Sequence, residues 1–295
     1  MSDPGSLVNA GADTGVTLEH QLAVGAALVT AGIALLPLAG YLGRRVVPER
    51  RVFFARWGGR HLLLVVAAWF LNQALLGLFI SGPVESIPFI EKLSLAAAGY
   101  ILPTILVFHS ARRTEPNATQ SLGLQREKSG VAVLYGLGIY LLFLPALMGV
   151  NMLWPWVYES LSGSWEPQAV LLGFGELEGA ALVYGLVLGT LVVTFFEELI
   201  FRGFLQPFLV QNFRDVGGVV LTSILFALLH GGVAFGPIFA LSLLLGGVAL
   251  RTRRLWASWA MHAAHNGLML ALFLYDPELA GQPAKDAAGL LGLLP

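Results

Sequence analysis

Runs of about 20 apolar residues, the length a helix needs to cross the hydrocarbon core of a bilayer, recur along this whole sequence. In lipid no water can satisfy backbone N–H and C=O groups, so each run is expected to satisfy its own by forming a helix. The remaining composition agrees. Of 295 residues 56% are hydrophobic and 12% charged, where a soluble domain carries roughly a quarter charged. The expected fold class is therefore all-α, a polytopic transmembrane helical bundle of about eight spans. Hydropathy places them near 21–42, 61–81, 93–109, 131–150, 179–201, 217–234, 237–250 and 255–275. No internal repeat, low-complexity tract or soluble domain interrupts them, so 1–295 reads as a single integral-membrane domain. The longest stretch between spans, 151–178, carries Trp154, Trp156, Tyr158 and Trp165, aromatics suited to a membrane interface. The tail 276–295 suggests no role.

Charge orients the spans. If alternate loops face the cytoplasm, one side receives Arg44, Arg45, Arg50, Arg51, Arg56, Arg60, Arg112, Arg113, Arg126, Lys128, Arg202, Arg214, Arg251, Arg253 and Arg254, which is 15 of the 17 basic residues. The other side keeps Lys92 and Lys285 with acids such as Asp3, Asp13, Glu85, Glu159, Glu166, Glu176 and Glu178. This is the separation that the positive-inside rule describes, and it places both termini outside. The expected location is a bacterial inner (plasma) membrane. No Lys or Arg occurs in the first twenty residues, so the first span rather than a cleavable signal peptide is expected to direct insertion. Net charge of −1 points to no nucleic-acid partner, and the absence of cysteine excludes disulfides, thiolate metal sites and a Cys nucleophile. Membrane lipids are the expected surroundings.

Against this apolar background the polar residues inside spans stand out, because an acid in hydrocarbon costs at least a few kcal/mol and marks a functional site by default. Only two acids fall there, Glu197 and Glu198 in TFFEELIFRG. Arg202 follows Glu198 by one helical turn, so those two are expected to pair and to leave Glu197 pointing elsewhere. His230 sits one turn after Phe226 in LFALLHGG, and Asn266 one turn after His262 in WAMHAAHNG, with His265 on the flank. Lipid satisfies none of these groups, so the three helices are expected to face one another around a wet cavity. A glutamate and two or three imidazoles are parts for activating water, and an Asn amide with a His can donate to the oxyanion of a tetrahedral intermediate. That set fits amide hydrolysis. Depth raises a conflict. On the boundaries above Glu197 lies ~8 Å and His262 ~10 Å from the cytoplasmic ends of their spans, but His230 lies ~20 Å in, too deep to share a water with Glu197.

These residues resemble the CPBP family of intramembrane proteases, which includes the type II CAAX prenyl endopeptidases and the bacteriocin-immunity (Abi) proteins. Its three signatures, EExxxR, FxxxH and HxxxN, read here as Glu197-Glu198-Leu199-Ile200-Phe201-Arg202, Phe226-Ala227-Leu228-Leu229-His230 and His262-Ala263-Ala264-His265-Asn266. They occur in the family's order within a core of about 179–275; the first four spans match only as generic membrane helices. The resemblance implies a CAAX-protease-like intramembrane endopeptidase acting on a peptide or membrane-associated protein. In it Glu197 and His230 activate water, Glu198 and Arg202 orient the site, and His262 and Asn266 stabilise the oxyanion. Phe226 and His265 are supporting residues. The implied chemistry is that of a glutamate protease requiring no cofactor. The depths of Glu197 and His262 along their spans lead to the separate expectation that the site opens toward the cytoplasmic side. A zinc-dependent metalloprotease using His230, His262 and His265 with Glu197 is one rival, although there is no HExxH. A proton-coupled transporter and an inactive immunity or scaffold protein are the others.

Overall fold

The computed structural model describes residues 18–46, 55–78, 86–162, 164 and 169–275, and every element among them is helical. The helices are α1 (Leu18–Val46), α2 (Gly59–Gly77), α3 (Phe89–Ala98), α4 (Ile101–Thr114), α5 (Ala118–Ser121), α6 (Ser129–Ser162) and α7 (Ala169–Gly175). There follow α8 (Gly179–Val187), α9 (Val193–Glu198), α10 (Gln206–Leu229), α11 (Phe235–Thr252) and α12 (Leu255–Tyr275). Asp3, Asp13, Arg50, Arg51, Glu85, Trp165, Glu166, Lys285 and the tail 276–295 lie outside the described residues.

The chain is a polytopic helical bundle and an integral membrane protein. Among the described residues six segments are long and apolar enough to cross a membrane: α1, α2, Phe89–Thr114, α6, Gly179–Leu229 and Gly232–Thr252. The fifth, at 51 residues, would be ~76 Å long if straight, more than twice the hydrocarbon core. It is not straight. Arg214 takes φ 63° and ψ 176°, and the chain folds back there. The ring of Phe201 lies 4.9 Å from that of Phe226, and a Cβ on Gly218 would fall 2.4 Å from the backbone nitrogen of Val210. The segment is therefore a helical hairpin of two spans. With α12, a 21-residue helix whose two His and one Asn dilute its apolar character, the bundle has about eight.

Two expected boundaries need correction. The helix that carries the fifth span does not end at 201; it continues to the bend at Arg214, because the buried Arg202 is neutralised by Glu198 within the helix and the apolar run resumes after it. The stretch 151–178 is not wholly extramembranous in character either, since α6 stays helical to Ser162 through Pro145 and Pro155. Neighbouring groups in a membrane bundle can re-satisfy backbone that proline frees.

Packing follows the chemistry of lipid, where helices gain by close approach rather than by hiding from water. Three of the four buried residues of α1 are glycines. A Cβ on Gly149 of α6 would sit 2.7 Å from the carbonyl oxygen of Gly25, and one on Gly32 would sit 2.3 Å from Cβ of Ala146. On its other side α6 meets α11 and α12, again at a glycine, Gly136 against the carbonyl of Ala257. The signature-bearing helices close around a buried core of Leu199, Phe201, Phe204, Phe226 and Leu255, to which Val107 and Ala111 of α4 contribute.

Candidate active site

The hairpin removes the depth conflict. Glu197 lies seventeen residues before Arg214 and His230 sixteen after it, so folding at Arg214 brings the two level. Glu197 and Glu198 end α9, a single α-helical stretch held between two π-helical ones, Leu188–Val192 and Leu199–Leu205. Such wide turns are rare and concentrate at functional sites. His230 caps the C-terminal end of α10 just before Gly231, which takes φ 82°. His262 comes from the middle of α12.

The side chains converge. Nε2 of His230 lies 4.0 Å from Oε1 of Glu197, and Nε2 of His262 lies 3.8 Å from Oε2 of the same carboxylate. His262 reaches Oε1 of Glu198 through Nδ1 at 3.0 Å, and Arg202 pairs with that oxygen, also at 3.0 Å. Arg202 then donates to Oγ of Ser242 on α11 at 2.8 Å. Glu198 and Arg202 are wholly buried, whereas 29% of the His230 side chain and 9% of that of Glu197 are exposed. The ion pair is thus internal scaffolding, and the site opens past His230.

Hydrogen bonding fixes the tautomers. The carbonyl of Phe226 can only accept, so at 2.7 Å Nδ1 of His230 donates to it, and in the neutral ring Nε2 keeps its lone pair toward Glu197. The carboxylate of Glu198 likewise takes the Nδ1 proton of His262. Phe226, fully buried, is the hub beneath these groups. Its ring lies 4.4 Å from Cζ of Arg202, 4.5 Å from the ring of His230 and 5.8 Å from that of His262. A cation over an aromatic face, shielded from water, is stabilised by about 2 kcal/mol. Asn266 points its amide at the carbonyl of Gly189, at 3.4 Å, inside the first π-helical stretch. His265 meets Oη of Tyr140 on α6 at 3.4 Å. Among the described residues no group of three or more His, Asp or Glu side chains is placed to hold a metal ion.

Residues 179–268 match the family model described as Type II CAAX prenyl endopeptidase Rce1-like. Over this stretch, which is less than half of the chain, the sequence is similar to the CPBP family. That likeness supports, at family level, a CAAX-protease-like intramembrane endopeptidase. No curated protein and no solved structure matches the chain.

The CPBP match spans all three signatures and omits the first four spans. Two contacts that the signatures do not announce hold the site: Ser242, which receives Arg202, and Tyr100, whose hydroxyl donates to Oε1 of Glu197 at 2.8 Å. Ser242 lies in an apolar run with no spacing rule to mark it. Tyr100 reads in sequence as one more aromatic of a membrane helix.

Proposed function

We propose that this chain hydrolyses peptide bonds within the membrane with a water held between Glu197 and His230, without a bound metal. The observation that carries this reading is the 4.0 Å gap between Oε1 of Glu197 and Nε2 of His230. Both atoms are hydrogen-bond acceptors. A single water donating one proton to each, at about 2.8 Å, spans such a gap and turns its lone pairs away from both. Glu197 takes a proton as the water oxygen bonds to the scissile carbonyl carbon. Asn266, and His262 when its Nε2 carries a proton, donate to the oxyanion. The proton on Glu197 then passes to the departing amine as the C–N bond breaks. Glu198 and Arg202 stay paired throughout and hold His262 by Nδ1. The sequence has no HExxH motif, the usual two-histidine helix of a zinc peptidase.

The substrate in this reading is a peptide or membrane-associated protein, and the basic loops lie in the cytoplasm with both termini outside. Because the natural chain has no cysteine, single cysteines placed at Arg126 and at Gly231 report by membrane-impermeant labelling which side each occupies. The hydrolytic reading is tested by cleavage of a quenched fluorogenic peptide library in nanodiscs, with wild type and Glu197→Gln, each with and without a strong chelator. Cleavage that survives chelation and is lost in the variant supports it. Cleavage lost on chelation and restored by zinc favours the metalloprotease instead. Ion-dependent uptake by vesicles, without cleavage, favours a transporter.

A further inference from the structure

Glu197 receives a hydrogen bond that its own family segment does not supply. Tyr100 belongs to the third span, outside the matched residues, and it occurs where that span breaks between α3 and α4. The break has visible causes. Pro103 has no N–H to offer the carbonyl of Gly99, and the carbonyl of Ala98 leaves the helical ladder to accept Nδ2 of Asn72 on α2 at 2.9 Å. Gly99 sits so close to Gln73 that a Cβ there would lie 2.9 Å from its side-chain oxygen. An Asn-Gln pair inside an apolar span is costly in lipid unless it has partners, and Asn72 spends its amide on this break. The aromatic ring of Tyr100 is clamped as well, stacked on Phe196 with centroids 6.1 Å apart and tilted against Trp69 at 5.6 Å.

We propose that Tyr100, held by the Asn72-braced break, is a positioning residue that fixes the carboxylate of Glu197 in the orientation hydrolysis needs. The geometry gives the reason. Its hydroxyl occupies one acceptor direction of Oε1, the oxygen that faces His230 across the 4.0 Å gap, while Oε2 faces His262. With that hydroxyl in place the carboxylate cannot rotate freely about its last torsion. Tyr100 touches neither imidazole and acts only through Glu197. The inference rests on the proposed role of Glu197.

Tyr100→Phe removes the hydroxyl and leaves the stacked ring. In the fluorogenic assay kcat is expected to fall about tenfold, the low end for a lost hydrogen bond to a charged group, with KM and the melting temperature unchanged. In the Glu197→Gln background the same substitution is expected to cause no further loss, because its effect passes through the missing carboxylate. Asn72→Leu is expected to lower kcat in the same direction and by less. Three results overturn the proposal in separable ways. If wild type and Glu197→Gln cleave equally, or wild type cleaves nothing, the reading of the site falls and this inference with it. If Glu197→Gln is inactive and Tyr100→Phe is as fast as wild type, the inference alone falls. If Tyr100→Phe lowers the melting temperature but not kcat per folded molecule, or multiplies the loss in the Gln background, Tyr100 is structural only.

Discussion

The first two spans and the signature-bearing spans use the same lipid solvent in different ways. In the most apolar window of α1, and likewise of α2, 11% of residues are buried inside the protein. The figure is 17% for Gly179–Leu229, which carries the first signature and all but the last residue of the second, and 39% for Gly232–Thr252, which lies between that segment and the third. The first pair presents Leu63, Leu64, Phe70 and Leu71 outward and attaches through glycine contacts or a few polar ones. The later spans put Glu197, Glu198, Arg202, His262 and Ser242 inside and satisfy them against one another. Burial in the first region is a matter of shape, and in the second a matter of charge and hydrogen bonding. A residue's tolerance to change should therefore depend on which region it occupies.

The largest effect belongs to Glu197. Glu197→Gln keeps its shape and its contact with Tyr100 but removes the base, and should lower turnover by at least ~100-fold, the low end of a general-base contribution. Its melting temperature should stay near wild type. Glu198→Gln, one residue on, should do the reverse in proportion. It leaves Arg202 buried beside an uncharged amide, and loss of one partner of a buried pair costs about 3–5 kcal/mol. A large drop in melting temperature, with activity falling alongside, is the expected result. Equal stability in the two variants would mean that Arg202 is held by Ser242 and Phe226 alone, and the contrast between scaffold and reagent would be lost.

Much of this division was legible in the sequence, for reasons that differ by residue. Charge in lipid is rare enough that Glu197, Glu198 and Arg202 declared themselves, and one-turn spacing joined Phe226 to His230 and His262 to Asn266. What could not be read was set by backbone geometry. Arg202 looked like the end of a span because an arginine usually is; with Glu198 on its own helix it is interior, and the true bend waits until Arg214. That displacement of about three turns is why Glu197 looked too shallow to share a water with His230. The π-helical stretches around Glu197 leave no mark in composition. Tyr100 was invisible because its chemistry lies in one hydroxyl, positioned by a helix break that a Pro, a Gly and a distant Asn make together.

Smaller effects should appear where shape alone is at stake. Gly32→Leu forces side-chain atoms into Ala146 and Phe143 of α6, an overpacking that costs typically about 1–3 kcal/mol. The melting temperature should fall while kcat per folded molecule holds, since α1 packs chiefly on α6. A loss of kcat without a loss of stability would show that α1 reaches the chemistry through α6, and would break the comparison from the other side.

The smallest effect is expected at Leu64 on α2, whose side chain stands largely outside the protein, 56% exposed. In a soluble core Leu→Ala leaves a cavity that costs about 2–5 kcal/mol. Here lipid chains occupy whatever space the side chain vacates, and the surroundings are as apolar before as after. Leu64→Ala should therefore shift stability in nanodiscs by no more than ~0.5 kcal/mol, the range of an ordinary surface substitution, and leave cleavage unchanged. A fall as large as that of Gly32→Leu would mean that this face of α2 is covered by protein rather than lipid. The first region would then hold an interface, and its thin burial would describe one copy of the chain rather than the working assembly.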